Sequence, residues 1–251
     1  MRFLWIVMPV VALAYAPSLP ESFRLVRDLS LDHGIDDSHN ERHSKEVLFW
    51  SIELLRRSER PLSRREHTRI ATVALLHDLV DPKYEGDREP FVEQHLIRWF
   101  RPEERLRIME IMKTMSYRKT FTGDGFVFPN GSSHEYHVPR EADLLASYNL
   151  ARMVEYRRAC RPEMTNYDIR QDMKEYFRTR TGRLIEDGAF VSDAGRTLAR
   201  SLHEVAALRM AHLVPLLDLE NDLALLRIVD GLSLDRLLDS LDALPVACTA
   251  P

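Results

Sequence analysis

ALLHDLVDPKY, residues 74–84, decides how the chain reads. An apolar run closes on the adjacent pair His77-Asp78, and Pro82 then stops the helix. Just upstream, Ile70, Val73, Ala74 and Leu76 recur at helical spacing, so the pair sits at the inner end of a helix. Burying two ionisable side chains there without partners would be costly. A metal ion resolves that cost, because imidazole nitrogen and carboxylate oxygen both suit borderline divalent ions. Neighbours on a frayed last turn can converge on one point. They supply only two ligands, so a second His and a second Asp are needed from inward faces elsewhere.

Two other stretches offer them. In DDSHNERHSKEV (36–47), His43 stands four residues before Val47. Val47, Trp50, Leu54 and Leu55 make the apolar face of a helix, so His43 projects inward with them. In VPREADLLASYNLARMVEYR (138–157), Pro139 and Glu141 read as the opening of a helix that continues through Leu144, Tyr148, Ala151 and Val154. Asp143 falls in the first turn of that reading. A further His and a further Asp on such inward faces would complete a site of two imidazoles and two carboxylates for one divalent ion. Mn, Fe, Co, Ni, Zn and Mg are all open, and water or a substrate oxygen would take the remaining positions.

The flanks carry polar candidates. Asp81, one turn past Asp78, is placed to orient or deprotonate a water, or is an ordinary turn residue. Lys83 can clamp a phosphate or be a solvated loop lysine, and Arg118 and Lys119 offer a second cationic contact. His39, one turn before His43, is given a substrate-side role. His134 and His137 lie in a Gly/Ser/Pro-containing loop over 122–137, from which a second metal site is conceivable. The charged run RRSERPLSRREH (56–67) reads as a solvated connection.

The whole chain reads as all-α. A first helix spans 22–32 with Ser22 as N-cap, further helical segments cover 91–100 and 102–115, and two amphipathic helices share 166–217 with a break near 182–188. No strand alternation of useful length and no internal repeat occurs. The division is an arm over 1–21, a helical domain over 22–217 and a helical tail over 218–251. Hydrophobic residues make up 45% and charged residues 29%, which excludes general disorder. A net charge of -4 argues against a dedicated nucleic-acid surface. Two cysteines, Cys160 and Cys248, allow no disulfide framework and no thiolate zinc site. The apolar run over 3–14 ends in Ala12-Leu13-Ala14 and resembles a secretory signal, but Pro9 interrupts it. It is well short of the ~20 apolar residues of a spanning helix, so no stable membrane span is expected. The reading preferred is a retained hydrophobic arm on a cytoplasmic protein, with cleavage at Tyr15 as the alternative. Oligomeric state is not legible.

The ordered set His43, His77-Asp78, Asp143 resembles the HD-domain metal-dependent phosphohydrolase superfamily, which carries a His, an adjacent His-Asp and a distant Asp on successive helices. HNERHSKEV resembles its HDxxHxxRV segment, HDLVDPKY its HD…D.KY segment, and TRTGRLI (179–185) a T.GR motif in C-terminal helices. IMEIMKTMSYRKT (108–120) is similar to the helix before the final Asp. The resemblance covers roughly 23–210 and implies an HD-domain helical fold with additional C-terminal helices. It implies hydrolysis of phosphoester or pyrophosphate bonds on nucleotides or nucleotide-like small molecules. Two positions depart from the pattern: Glu141 stands for an Asp, and Glu46 stands for an Arg whose loss removes a phosphate-facing or helix-packing cation. Two rival readings stay open. One is an HD-type di-iron oxygenase, which would need His95, His134 or His137 as further ligands. The other is a non-catalytic metal- or ligand-binding protein.

Overall fold

The structure, a computed structural model, describes residues 18–36, 38–81, 87–219 and 221–231. Lys83, Pro82, the arm before residue 18 and the tail beyond 231 lie outside the described residues. Every regular element among the described residues is helical, and the single β-bridge joins Phe121 and Phe126. The chain is all-α.

The helices follow local signals closely where a cap is present. Helix α1 is Ser18–Asp32, so it begins a turn earlier than the Ser22 reading; Ser22 is buried inside it and shares a 2.9 Å hydrogen bond with His95 Nε2. Gly34 then takes a positive φ of 59°, a conformation open to glycine at a helix end. Helix α2 is Glu41–Arg56, with Asn40 as N-cap accepting from the Arg42 amide. Helix α3 is Arg64–Leu76, opened by a capping box in which Ser63 and Glu66 satisfy each other's amides. The charged run over 56–67 is therefore only half connection, since its last four residues form the first turn of α3.

From Ile70 to Leu76 every residue of α3 is buried, which marks it as the central helix. Around it stand α4 (Glu89–Ile97), α5 (Pro102–Thr114), the short α6 (Tyr117–Thr120), α7 (His134–Ala146), α8 (Leu150–Cys160), α9 (Asn166–Thr179), α10 (Asp193–His212) and α11 (Leu223–Gly231). Helix α2 packs chiefly on α7 and α3, and α3 also meets α7, so three helices share one seam. Arg69 ties α3 to α5 and α7 by bonding Glu104 Oε1 at 2.7 Å and Glu135 Oε1 at 2.9 Å. Among the described residues no helix is long and apolar enough to cross a membrane.

Helix α7 starts at His134, not at Pro139, which is its sixth residue. Proline there forfeits one intrahelical bond, a loss the helix absorbs because it is buried along most of its length. The loop expected over 122–137 thus ends at Ser133, and Asp143 lies in the third helical turn rather than the first.

Candidate metal centre and its cavity

Helix α3 does not simply fray at its end. It tightens into a 3-10 turn over His77–Val80, and Asp81 leaves it in extended backbone, φ -73° and ψ 123°, as the residue before a proline must. The tighter winding lets the consecutive side chains of His77 and Asp78 address one centre. The His77 ring lies 3.0 Å from the Ala74 carbonyl through Nδ1. A carbonyl only accepts, so Nδ1 carries the proton and Nε2 presents its lone pair inward.

His43 comes from the seam face of α2 and Asp143 from the facing side of α7. His43 Nε2 stands 3.2 Å from Asp143 Oδ1 and 3.4 Å from Asp78 Oδ2. His77 Nε2 stands 3.5 Å from Asp78 Oδ2 and 3.8 Å from Asp143 Oδ1. His43, His77 and Asp143 offer ligand atoms all within 4.8 Å of one another, a group that could hold a metal ion. Both ring nitrogens of His43 and Nε2 of His77 are buried and make no hydrogen bond. Buried imidazole nitrogens ordinarily find partners. A cation at the centre would give His43 Nε2 and His77 Nε2 their partner, and a donor set of imidazole and carboxylate suits one.

The electrostatics agree with ligand-ready groups. Burial, aided by the Arg152 charge, pushes His43 down to about 3 against the pull of Asp78 and Asp143, so its ring is neutral near pH 7. Burial works to raise Asp143, but contact with His43 and the fields of His77 and Arg152 outweigh it and hold the carboxyl well below the usual carboxylate range.

The centre opens on a cavity of about 430 Å³, a volume suited to a small molecule. Its wall includes His77, Asp78 and Asp143, and also Asp81, His39, Arg118 and Lys119. His39 sits edge-on to Tyr156 and to His43, with its Nδ1 2.7 Å from Ser38 Oγ. Arg118 and Lys119 are exposed, and the Lys119 ammonium donates to the Lys113 carbonyl at the end of α5.

Sequence reading missed three of the five arginines and lysines on the cavity wall. Arg152, Arg157 and Arg180 line it together with Tyr117, Tyr156 and Tyr176. Arg152 Nη1 is 3.9 Å from Asp143 Oδ1, and its Nε donates to the Ser38 carbonyl at 2.6 Å. Arg157 is paired with Asp172 at 2.7 Å and lies over the Tyr176 ring. The spacing of Arg152, Met153, Tyr156 and Arg157 along α8 is one helix face, visible in the sequence. Which way that face points is set by the turn between α7 and α8, which the sequence does not declare.

The two departures from the HD pattern have physical roles. Glu46 is buried and accepts from Asn149 Nδ2 at 3.1 Å, while Asn149 caps α8 by accepting from the Arg152 amide. Glu46 thereby steadies the helix start that delivers Arg152. Glu141, also buried, accepts from the Val191 and Ser192 amides at 2.7 and 3.0 Å and from the Ser192 hydroxyl. It clamps the start of α10, where negative charge is favoured.

The remaining histidines stand elsewhere. His95 bonds Ser22, His134 Nε2 lies 3.4 Å from Ser58 Oγ, and His137 packs edge-on against Phe128. His134 and His137 belong to the first turns of α7 and not to a loop. Among the described residues no second group of metal-ligating side chains converges. Compared with protein-family models, with curated proteins and with solved structures, the chain matches none.

Proposed function

We propose that the chain is a metal-dependent hydrolase of phosphoester or pyrophosphate bonds in a small phosphorylated molecule, with nucleotides the substrate class and the HD-domain superfamily its family by sequence resemblance. The observation that carries this reading is the buried convergence of His43, His77, Asp78 and Asp143 on the floor of a cavity walled by cations. Four ligands from three helices would hold one divalent ion, which supplies Lewis acidity at a phosphoryl oxygen and lowers the pKa of water.

The other residues then have distinct tasks. Asp81, on the cavity wall beside Asp78, accepts the proton as water oxygen bonds to phosphorus and the bond to the leaving oxygen breaks. Arg152, beside Asp143, and Arg118, at the rim, offset negative charge gathering on the phosphoryl oxygens. His39 lines the substrate side, held against Tyr156. Lys83 keeps its sequence-based role as a phosphate clamp. A two-iron redox reaction would draw on further histidines, and the contacts of His95, His134 and His137 favour the single-ion reading instead.

Phosphate and pyrophosphate release from a nucleotide panel, with each candidate metal added in turn, tests the proposal. Turnover of at least one nucleotide that stops on chelation is the expected result. No release with any substrate from protein of full metal content would overturn it in favour of a binding protein.

A further inference from the structure

The TRTGRLI segment builds a feature that the hydrolytic reading does not use. Arg180 sits between α9 and a 3-10 turn over Thr181–Arg183. Its backbone is fixed from both sides: its amide bonds the Tyr176 carbonyl at 2.9 Å and its carbonyl accepts from the Arg183 amide at 3.0 Å. Thr181 is fully buried, and a Cβ at Gly182 would come within 2.6 Å of the Phe177 carbonyl, so only glycine lets the turn close on α9. The guanidinium carbon lies 3.9 Å from the Tyr117 ring centroid and 5.1 Å from that of Tyr176.

Aromatic contact occupies the flat face of a guanidinium and leaves its edge of N–H donors free. Arg180 is a wall residue of the cavity that holds the metal centre, and among the described residues its side chain makes no hydrogen bond and no ion pair. Three of its cationic neighbours differ. Arg157 is committed to Asp172, Arg152 to Ser38 and Asp143, and Lys119 to the Lys113 carbonyl. The acidic wall residues, Asp78, Asp81 and Asp143, lie at the metal end. An oriented guanidinium with an open donor edge matches an oxyanion in two-point contact.

We propose that Arg180 is a second oxyanion subsite of this cavity, so that the substrate carries two anionic groups, one phosphoryl group at the His/Asp centre and one phosphate or carboxylate on Arg180. This rests on the proposed function only in taking the centre as the first phosphoryl site. Tyr117 and Tyr176 are positioning residues that hold the guanidinium edge toward the cavity.

Calorimetric titration of the metal-loaded chain with butylphosphonate and with alkane-α,ω-bisphosphonates of increasing length reads the subsite without turnover. At the matching length the bisphosphonate should bind about tenfold or more tighter than butylphosphonate. An ω-carboxyalkylphosphonate of the same length tells a carboxylate subsite from a phosphate one. In Arg180→Ala the ratio of the two affinities should fall to about one, with Arg180→Lys between. Tyr117→Leu, which spares the arginine, should lower the same ratio and covers the case in which Arg180→Ala fails to fold. A wild-type ratio near one at every length, or an undiminished ratio in Arg180→Ala, would overturn the proposal. Absence of hydrolysis would count against the proposed reaction alone, because the affinity ratio does not depend on it.

Discussion

At the scale of single residues, tautomer and charge leave His43, His77 and Asp143 as a group that could hold a metal ion. The Ala74 carbonyl fixes the proton of His77 on Nδ1, and burial keeps His43 neutral. Asp81 is then the carboxylate on the cavity wall that is free of the ligand role. Asp81→Asn should lower turnover by about two to four orders of magnitude with metal content unchanged. Steady-state rates beside metal analysis check this, and full turnover would reduce Asp81 to a turn residue. A second consequence concerns acid. His43 is pushed down to about 3 and His137, by burial and the nearby Arg140 charge, to about 4, both from 6.5. The unfolded chain therefore takes up these protons first, and stability is intact above about pH 6.5 and declines as pH falls toward 4. Thermal melts of the metal-free chain at pH 7.5, 6 and 5 should show a progressively lower Tm. A flat profile would mean that neither ring is held below its ordinary value in the fold.

At the scale of elements, the buried faces of the helices were legible and several helix starts were not. Helix α3 opens from the capping box at Ser63, inside the run read as a connection, and α1 and α7 begin before the residues that looked like their openings, Ser22 and Pro139. Proline is commonest in a first turn, so Pro139 drew the boundary to itself while burial carried the helix past it. His43, His77, Asp78 and Asp143 were singled out as candidates by their order along the chain, which resembles the HD pattern, and the fold brings three of them, His43, His77 and Asp143, into one group that could hold an ion. The arginine wall was not, because it joins residues from α8 and from the turn after α9, and no local pattern links them. Glu141 shows the same limit: its partners are fifty residues away at the start of α10. Glu141→Ala should cost about 1–3 kcal/mol by leaving the Val191 and Ser192 amides without their acceptor. Gly195→Ala should also destabilise, since its Cβ would run into Glu141 Oε2. The two losses should not add in full, because removing the carboxylate removes the closest of the clashes and leaves that with Ser192 Oγ. Urea denaturation of the singles and the double reads this coupling, and simple additivity would show that the clamp does not exist.

At the scale of the whole molecule, one buried seam carries both the fold and the candidate site. Helix α3 packs against α1, α2, α5 and α7, and its last turns end at His77. Leu75 is 0% exposed, two residues from the centre. Leu75→Ala should cost about 2–5 kcal/mol. It should also weaken metal retention, since the 3-10 turn that aims His77 and Asp78 rests on that packing. Denaturation midpoints and metal content measured together test the link, and a large loss of stability with unchanged metal affinity would separate site from core. The all-α class was legible from periodicity alone, but the hydrophobic arm over 3–14 and Lys83 fall outside the described residues. The central claim is that His43, His77, Asp78 and Asp143 hold an ion, and metal stoichiometry by mass spectrometry tests it most directly. Purified chain reconstituted with divalent ions and desalted should retain about one ion per chain, and Asp78→Ala should retain none while keeping its helical circular dichroism. A wild-type chain that retains no ion, or an Asp78→Ala variant that retains a full one, would contradict the account.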